Sequence, residues 1–160
     1  MAGRVYTLEV CIIEGPMLDD FIRQNPTVSR TIEILDSQTL VELHDAIFEA
    51  FDRDDEHMFE FHFGTGPHER DGPRYVLPVM LDVPWDEDDR AAGDLTQTTI
   101  DSLDLTVDRA FGYWFDFGDN WYHQINVAAI AEAQPRAKYP RVTGRVGESP
   151  PQYVDWDEEE

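Results

Sequence analysis

Two periodicities, one of two residues and one of three to four, divide the chain. Val5 to Ile13 (VYTLEVCII) is rich in β-branched and aromatic residues and partly alternates, which predicts a first strand closed by Gly15-Pro16. Met17 to Arg23 has room for one short helical turn before Asn25-Pro26 breaks the chain again. Val28 to Leu35 sets Val28, Arg30, Ile32 and Ile34 against Ser29, Thr31 and Glu33, a second strand expected to pair antiparallel with the first. The period then changes. Thr39 stands three residues before Glu42, the spacing of a capping box, and Leu40, Leu43, Ile47, Phe48 and Phe51 recur at helical spacing behind it. This predicts one amphipathic helix that stops near Phe51, because the acidic run DRDDE opposes the macrodipole at a helix C-terminus.

Alternation returns at Met58 to Phe63 (MFEFHF), a third strand with Phe59, Phe61 and Phe63 facing inward. Gly64 to Gly72 reads as a turn, and Arg74 to Leu81 as a strand that Pro78 confines to a sheet edge. Asp82 to Asp94 is acidic and irregular and reads as an exposed loop. Thr99 is placed to cap a helical turn through Ile100 and Leu103. Ala110 to Asp116 and Trp121 to Ile130 read as two strands joined by Phe117-Gly118-Asp119-Asn120, in which Gly118 tolerates positive φ and Asp and Asn suit a turn. From Gln134 to Pro151 the chain is polar and proline-bearing, and the tail DWDEEE is expected to fray. Strand, strand, helix, strand and a late hairpin predict an α+β, β-grasp-like mixed sheet with one main helix on one face. Phe59 and Trp114 are expected on the side that meets the helix. A single domain over 1–160 follows, with an ordered core over about 5–155 and an acidic tail over 156–160.

Composition narrows the partners. The 160 residues carry 34 acidic against 12 basic side chains, a net charge of −22, yet 41% of the chain is hydrophobic and 12% aromatic, enough for a packed core. An acidic cytoplasmic protein, a protein of a high-salt cytoplasm and an acidic nucleic-acid mimic all fit this balance. Direct binding to nucleic acid does not, because phosphate neutralisation needs clustered Lys and Arg and the chain has no such stripe. One cysteine, Cys11, in an apolar run reads as a small buried hydrophobe. The N-terminus lacks a signal-peptide pattern and no apolar stretch is long enough for a membrane helix, which leaves the cytoplasm as the expected location.

Candidate chemistry concentrates in the late hairpin. Trp121 and His123 share a face, and Asp116 and Asp119 flank the turn. Two carboxylates and an imidazole in one hairpin suit a divalent ion, acid–base work or a partner surface; equally, both aspartates suit turn amides while Trp121 packs on the sheet. His44 borders the helix stripe and reads as a core-rim histidine ahead of a ligand. His57 and His62 are expected on opposite faces of strand three, and His68 in solvent. Asp116-Phe117-Gly118 spells a kinase metal triplet without the loops that give it meaning. Pro150-Pro151-Gln152-Tyr153 reads as an ordered arm across the sheet that covers Tyr153 and Trp156, or as a proline-rich ligand. No cofactor or bound metal is implied.

Several short motifs in order resemble the plasmid open-reading-frame-three-like family, first named from a root-inducing Ri plasmid and also carried by mobile elements. They are Thr39-Leu40, Leu43-His44, Ile47 and Ala50-Phe51; His57 to Phe61; Tyr113 to Trp121 with His123; Tyr139-Pro140 and Gly144; and Ser149-Pro150-Pro151-Gln152. The resemblance implies an α+β, β-grasp-like domain and no particular activity. Where many members have cysteines near the Pro-Pro segment, this chain has Gly147-Glu148-Ser149, so a thiol role does not carry over. The expected function is a non-enzymatic binding or protein-interaction module. Its contact surface would be Asp116, Asp119, Trp121 and His123 with the loop 82–94, and its partner a basic protein. The alternatives are a metal-dependent, hydrolase-like enzyme using Asp116, Asp119 and His123, and an acidic nucleic-acid mimic.

Overall fold

The longest apolar alternations pair at the middle of one sheet. In the computed structural model, which describes residues 3–64, 72–78 and 93–153, β1 (Arg4–Glu14) lies between β2 (Ser29–Leu35) and β7 (Trp121–Glu132), antiparallel to both. Beyond β7 follow β6 (Ala110–Phe115), β3 (Phe59–His62), β4 (Arg74–Val76) and β5 (Gly93–Asp94); beyond β2 lies β8 (Arg141–Val146). The order is β5-β4-β3-β6-β7-β1-β2-β8, and β4–β5 is the parallel pairing in an otherwise antiparallel ladder. Short helices α1 (Asp19–Gln24) and a 3₁₀ turn (Ile100–Leu103) flank the main helix, α2 (Leu40–Ala50).

Register decides which residues share the buried face. Leu8 stands opposite Ile32 and Val127, Tyr113 opposite Phe61 and His123, and Phe115 opposite Phe59 and Trp121. Onto this face α2 lays Leu40, Leu43, Ile47 and Ala50, all fully buried. Burial of each large aliphatic side chain there is worth roughly 1.5–3 kcal/mol.

Both ends of α2 are closed by specific bonds. Thr39 Oγ1 accepts from Glu42 N at 3.3 Å while Glu42 Oε1 accepts from Thr39 N at 3.2 Å, the reciprocal capping box. At the other end Asp52 adopts φ 55°, and Asp52 N bonds Glu49 O while Arg53 N bonds Phe48 O, a Schellman closure built on aspartate instead of glycine. The remaining carbonyl of Ala50 accepts from Arg30 Nε at 2.9 Å and Arg145 Nη1 at 2.6 Å, so two guanidiniums from β2 and β8 sit at the negative end of the helix.

The structure corrects several expectations. The polar stretch after Gln134 contains β8, whose solvated outer face erases the apolar alternation that marks strands. Trp114 lies on the sheet face away from α2, stacked on Tyr122 at 5.5 Å, since it alternates with the buried Tyr113 and Phe115. His57 precedes β3 instead of belonging to it. Gly93 and Asp94, read as loop, form the edge strand β5, which puts β4 one place inside; the rest of the expected loop, 82–92, and His68 lie outside the described residues. Cys11 is half-buried, its thiol donating to Glu9 Oε1 at 3.5 Å, because odd positions of β1 face away from α2.

Two substitutions test this packing by urea denaturation. Ile47→Ala is expected to cost about 2–5 kcal/mol by opening a cavity under α2, and Thr39→Ala about 1 kcal/mol by removing the cap.

Candidate functional site

The C-terminal end of α2, the segment 51–58, the β6–β7 hairpin and the arm 147–153 meet at one end of the molecule. The Schellman closure turns Arg53 back toward the sheet, where it is 7% exposed. Its guanidinium lies 4.8 Å from the Phe115 ring, 5.1 Å from Phe51 and 5.3 Å from Trp121. Three π-faces offset part of the cost of burying that charge. Nη2 donates to His123 Nε2 at 2.8 Å; Nη1 and the Trp121 indole N–H have no hydrogen-bond partner among the described residues. Burial lowers the Arg53 guanidinium to a pKa of about 10, against the supporting charge of Asp116. It stays cationic at neutral pH.

His123 is fully buried, and both ring nitrogens are used. Accepting from Arg53 at Nε2 requires the proton on Nδ1, which donates to Tyr113 O at 3.1 Å. Burial first, then the Arg53 charge, hold the imidazole well below its usual value. On the far side of Tyr113, its hydroxyl stands 2.6 Å from His44 Nδ1, and His44 Nε2 stands 2.9 Å from Glu56 Oε1. The His44 ring stacks on Phe59 at 3.6 Å, nearly parallel, with an interplanar angle of 4°. Glu56, His44 and the Tyr113 hydroxyl thus run inward from a 61%-exposed carboxylate, and the backbone carbonyl of Tyr113 accepts from His123, which in turn accepts from Arg53.

The hairpin residues expected to share one surface are separated. Trp121 and His123 point into the core, and Gly15 presses so closely on the Trp121 indole that a Cβ there would come within 2.2 Å of it. Asp116 is buried, and its Oδ1 accepts from Gly118 N and Asp119 N, both at 3.1 Å. Asp119 is exposed. Asp116, Asp119 and His123 therefore do not converge on an ion or a cleft. The turn takes its positive φ at Asp116 and Asn120, both 62°, with Asn120 N bonded to Asp116 O, and not at Gly118.

Above this polar interior the arm docks on the segment after α2. Arg30, 2% exposed, donates to the carbonyls of Ser29, Val146 and Gly147 and to Ser149 Oγ. Gln152 Oε1 accepts from Asp54 N and Asp55 N, and its Nε2 donates to Asp55 O at 2.7 Å. Tyr153 OH stands 2.7 Å from His57 Nε2, which is 3.4 Å from Asp116 Oδ2. The arm so lies on this segment and not across the sheet, and it leaves Tyr153 53% exposed; Trp156 is outside the described residues. Between arm and segment is a groove of about 560 Å³ lined by Asp52, Asp54, Asp55, Pro150, Pro151 and Tyr153, among others. Sequence reasoning missed this groove and the inward turn of Arg53. The signal available was a lone arginine inside an acidic run directly behind a greasy helix.

The depressed His123 imidazole makes stability fall in acid. Unfolded, the ring takes up its proton near pH 6.5; folded, it does so only at lower pH. Its contribution is fully present above about pH 6.5 and is lost as pH falls below it, at up to roughly 1.4 kcal/mol per pH unit. Arg53 and His44 are the charged and titratable groups that face it. In His123→Gln, which keeps an acceptor for Arg53, urea denaturation at a series of pH values is expected to show a shallower slope between about pH 5 and 6.5.

No curated protein matches the chain. Among solved structures it is similar to a Methanosarcina mazei Go1 protein of unknown function, MM3350, with a TM-score of 0.67 and 21% identity over 91% of this chain and 71% of that one. At that identity the likeness shows the α+β fold alone. Among the described residues no helix is long and apolar enough to cross a membrane. The family model for plasmid pRiA4b ORF-3-like proteins matches residues 20–156, which takes in α2, the hairpin and the arm, and the chain belongs to that family.

Proposed function

We propose that this domain is a non-enzymatic binding module that receives a basic segment of a partner protein in the groove between the 52–55 segment and the arm. The observation that carries this reading is the groove's chemistry. Three carboxylates line it, and among the described residues no Lys or Arg is paired with Asp54 or Asp55. Asp52 has Ser149 Oγ at 2.6 Å and Arg145 at 3.7 Å. Gln152 fastens the backbone of Asp54 and Asp55, so the two carboxylates are presented from a fixed support, which lowers the ordering cost of binding.

Charge distribution supports the same reading. Among the described residues the buried bases Arg30, Arg53 and Arg74 are nearly balanced by the buried acids Glu60 and Asp116, so burial leaves the acidic excess of the composition on the surface. A negative field of this kind speeds encounter with a cationic partner and weakens as salt rises. Asp119, exposed on the neighbouring hairpin, extends the acidic rim. The reading also takes the fold as β-grasp-like, supported by one main helix laid across one face of a mixed sheet, and takes the cytoplasm as its setting, supported by composition alone.

An arginine-rich peptide titrated into the full chain by calorimetry is expected to bind. The double variant Asp54→Asn/Asp55→Asn is expected to lose roughly 1–2 kcal/mol of affinity. A control that removes two exposed charges outside the groove lining, Glu9→Gln/Asp19→Asn, is expected to lose much less. Equal losses in both variants would mean general attraction to an acidic surface and would overturn the assignment of the groove.

A further inference from the structure

Helix α2 buries one imidazole and brings two carboxylates to its outer edge. Asp45 follows His44 on the exposed flank of the helix, and Glu56 reaches back from the segment leading to β3. One ligand atom from each of His44, Asp45 and Glu56 falls within 4.8 Å of the others, the one such set of three among the described residues. None of the three lines the acidic groove as described above.

The imidazole is held as a metal-ligating imidazole is held. Its plane is fixed by the parallel Phe59 ring, and its inner nitrogen, Nδ1, is 2.6 Å from the buried Tyr113 hydroxyl. That leaves Nε2 aimed at Glu56, with Oε1 at 2.9 Å and Oε2 at 3.2 Å, and an Asp45 oxygen within 4.8 Å completes the set. Two proton arrangements complete this geometry. In one, Nε2–H donates to Glu56 and Tyr113 O–H donates to Nδ1. In the other, Nδ1–H donates to the Tyr113 oxygen, whose hydroxyl rotates to accept, and the Nε2 lone pair faces the Glu56 oxygens, an arrangement that is repulsive until a cation sits between them. The second needs no ring movement, and an outer partner on the far nitrogen is what orients a histidine toward a metal.

We propose that His44 Nε2, with one oxygen each from Asp45 and Glu56, binds a single divalent transition-metal ion, zinc above all, and that water fills the remaining coordination. One imidazole and two carboxylates with an open position suit zinc, whereas magnesium prefers oxygen alone and near-ideal octahedra. Zinc–ligand bonds of about 2.0–2.2 Å set neighbouring ligand atoms a little over 3 Å apart in a tetrahedron, close to the separation His44 and Glu56 already have. The exposed Asp45 and Glu56 side chains supply the small adjustment. Bound there, the ion ties the segment after α2 to the helix that positions it.

Zinc chloride titrated into the full chain by calorimetry, with magnesium in excess, tests the site. One zinc per chain is expected, together with a rise in the unfolding midpoint. Asp45→Asn and Glu56→Gln, both at exposed positions, are each expected to weaken binding about tenfold or more, and Tyr113→Phe, which touches no metal, by about 10–100-fold. Asp54→Asn/Asp55→Asn, which removes no ligand, is expected to weaken zinc binding far less than Glu56→Gln while it abolishes most of the peptide affinity, which separates this site from the peptide groove. Absence of zinc heat at near-millimolar metal, equal competition by magnesium, or unaltered affinity in the Asp45→Asn/Glu56→Gln double variant would overturn it.

Discussion

Helix α2 can bury its apolar stripe only by taking His44 down with it. Leu40, Leu43, Ile47 and Phe51 supply the driving force, and His44 sits one position past Leu43 on the same flank, so the imidazole ends 1% exposed against the Phe59 ring. A polar ring in that place must find partners or cost the fold several kcal/mol. The partners it finds, the Tyr113 hydroxyl on one side and Glu56 on the other, set where the central hairpin and the segment after the helix have to lie.

The second constraint follows from the first. With α2 seated, its C-terminal carbonyls and the turn after it come to rest over the sheet, and arginines resolve both. Arg30 and Arg145 bond the last free carbonyl and hold β8 and the arm, while Arg53 folds inward among three aromatic rings and bonds His123. A chain with few cations spends several of them inside. The outside is then left to carboxylates, and the groove beside the arm is one consequence.

Much of the fold was legible because period carries face. Alternation in Val5–Ile13, Val28–Leu35 and the aromatic strands, and the helical spacing behind the Thr39 cap, each identify an element and its buried side, even placing Arg30 on the inner face of β2. What failed was local. Trp114 is aromatic in an aromatic strand, and hydrophobicity alone gives no phase; only the register with Tyr122 and Glu60 shows that it faces away from α2. β8 is half solvated and carries two arginines, so its sequence has no greasy side to announce it. The hairpin was located correctly as an element, and of its two readings the turn-amide one holds for Asp116 and the packed one for Trp121; the shared surface with His123 does not form, because both rings turn inward.

By itself the sequence determined the longest strands and the one main helix, the cap of α2, the buried stripe and an acidic composition. Each depends on neighbours a few residues apart or on composition, which the linear chain states directly. Only tertiary structure decided that His44 meets Tyr113 across 69 positions, that Arg53 meets His123 across 70, and that Gln152 fastens Asp54 across 98. Those contacts depend on sheet order and on the direction in which one non-glycine residue, Asp52, turns the chain at the end of a helix. Neither is written in any local spacing.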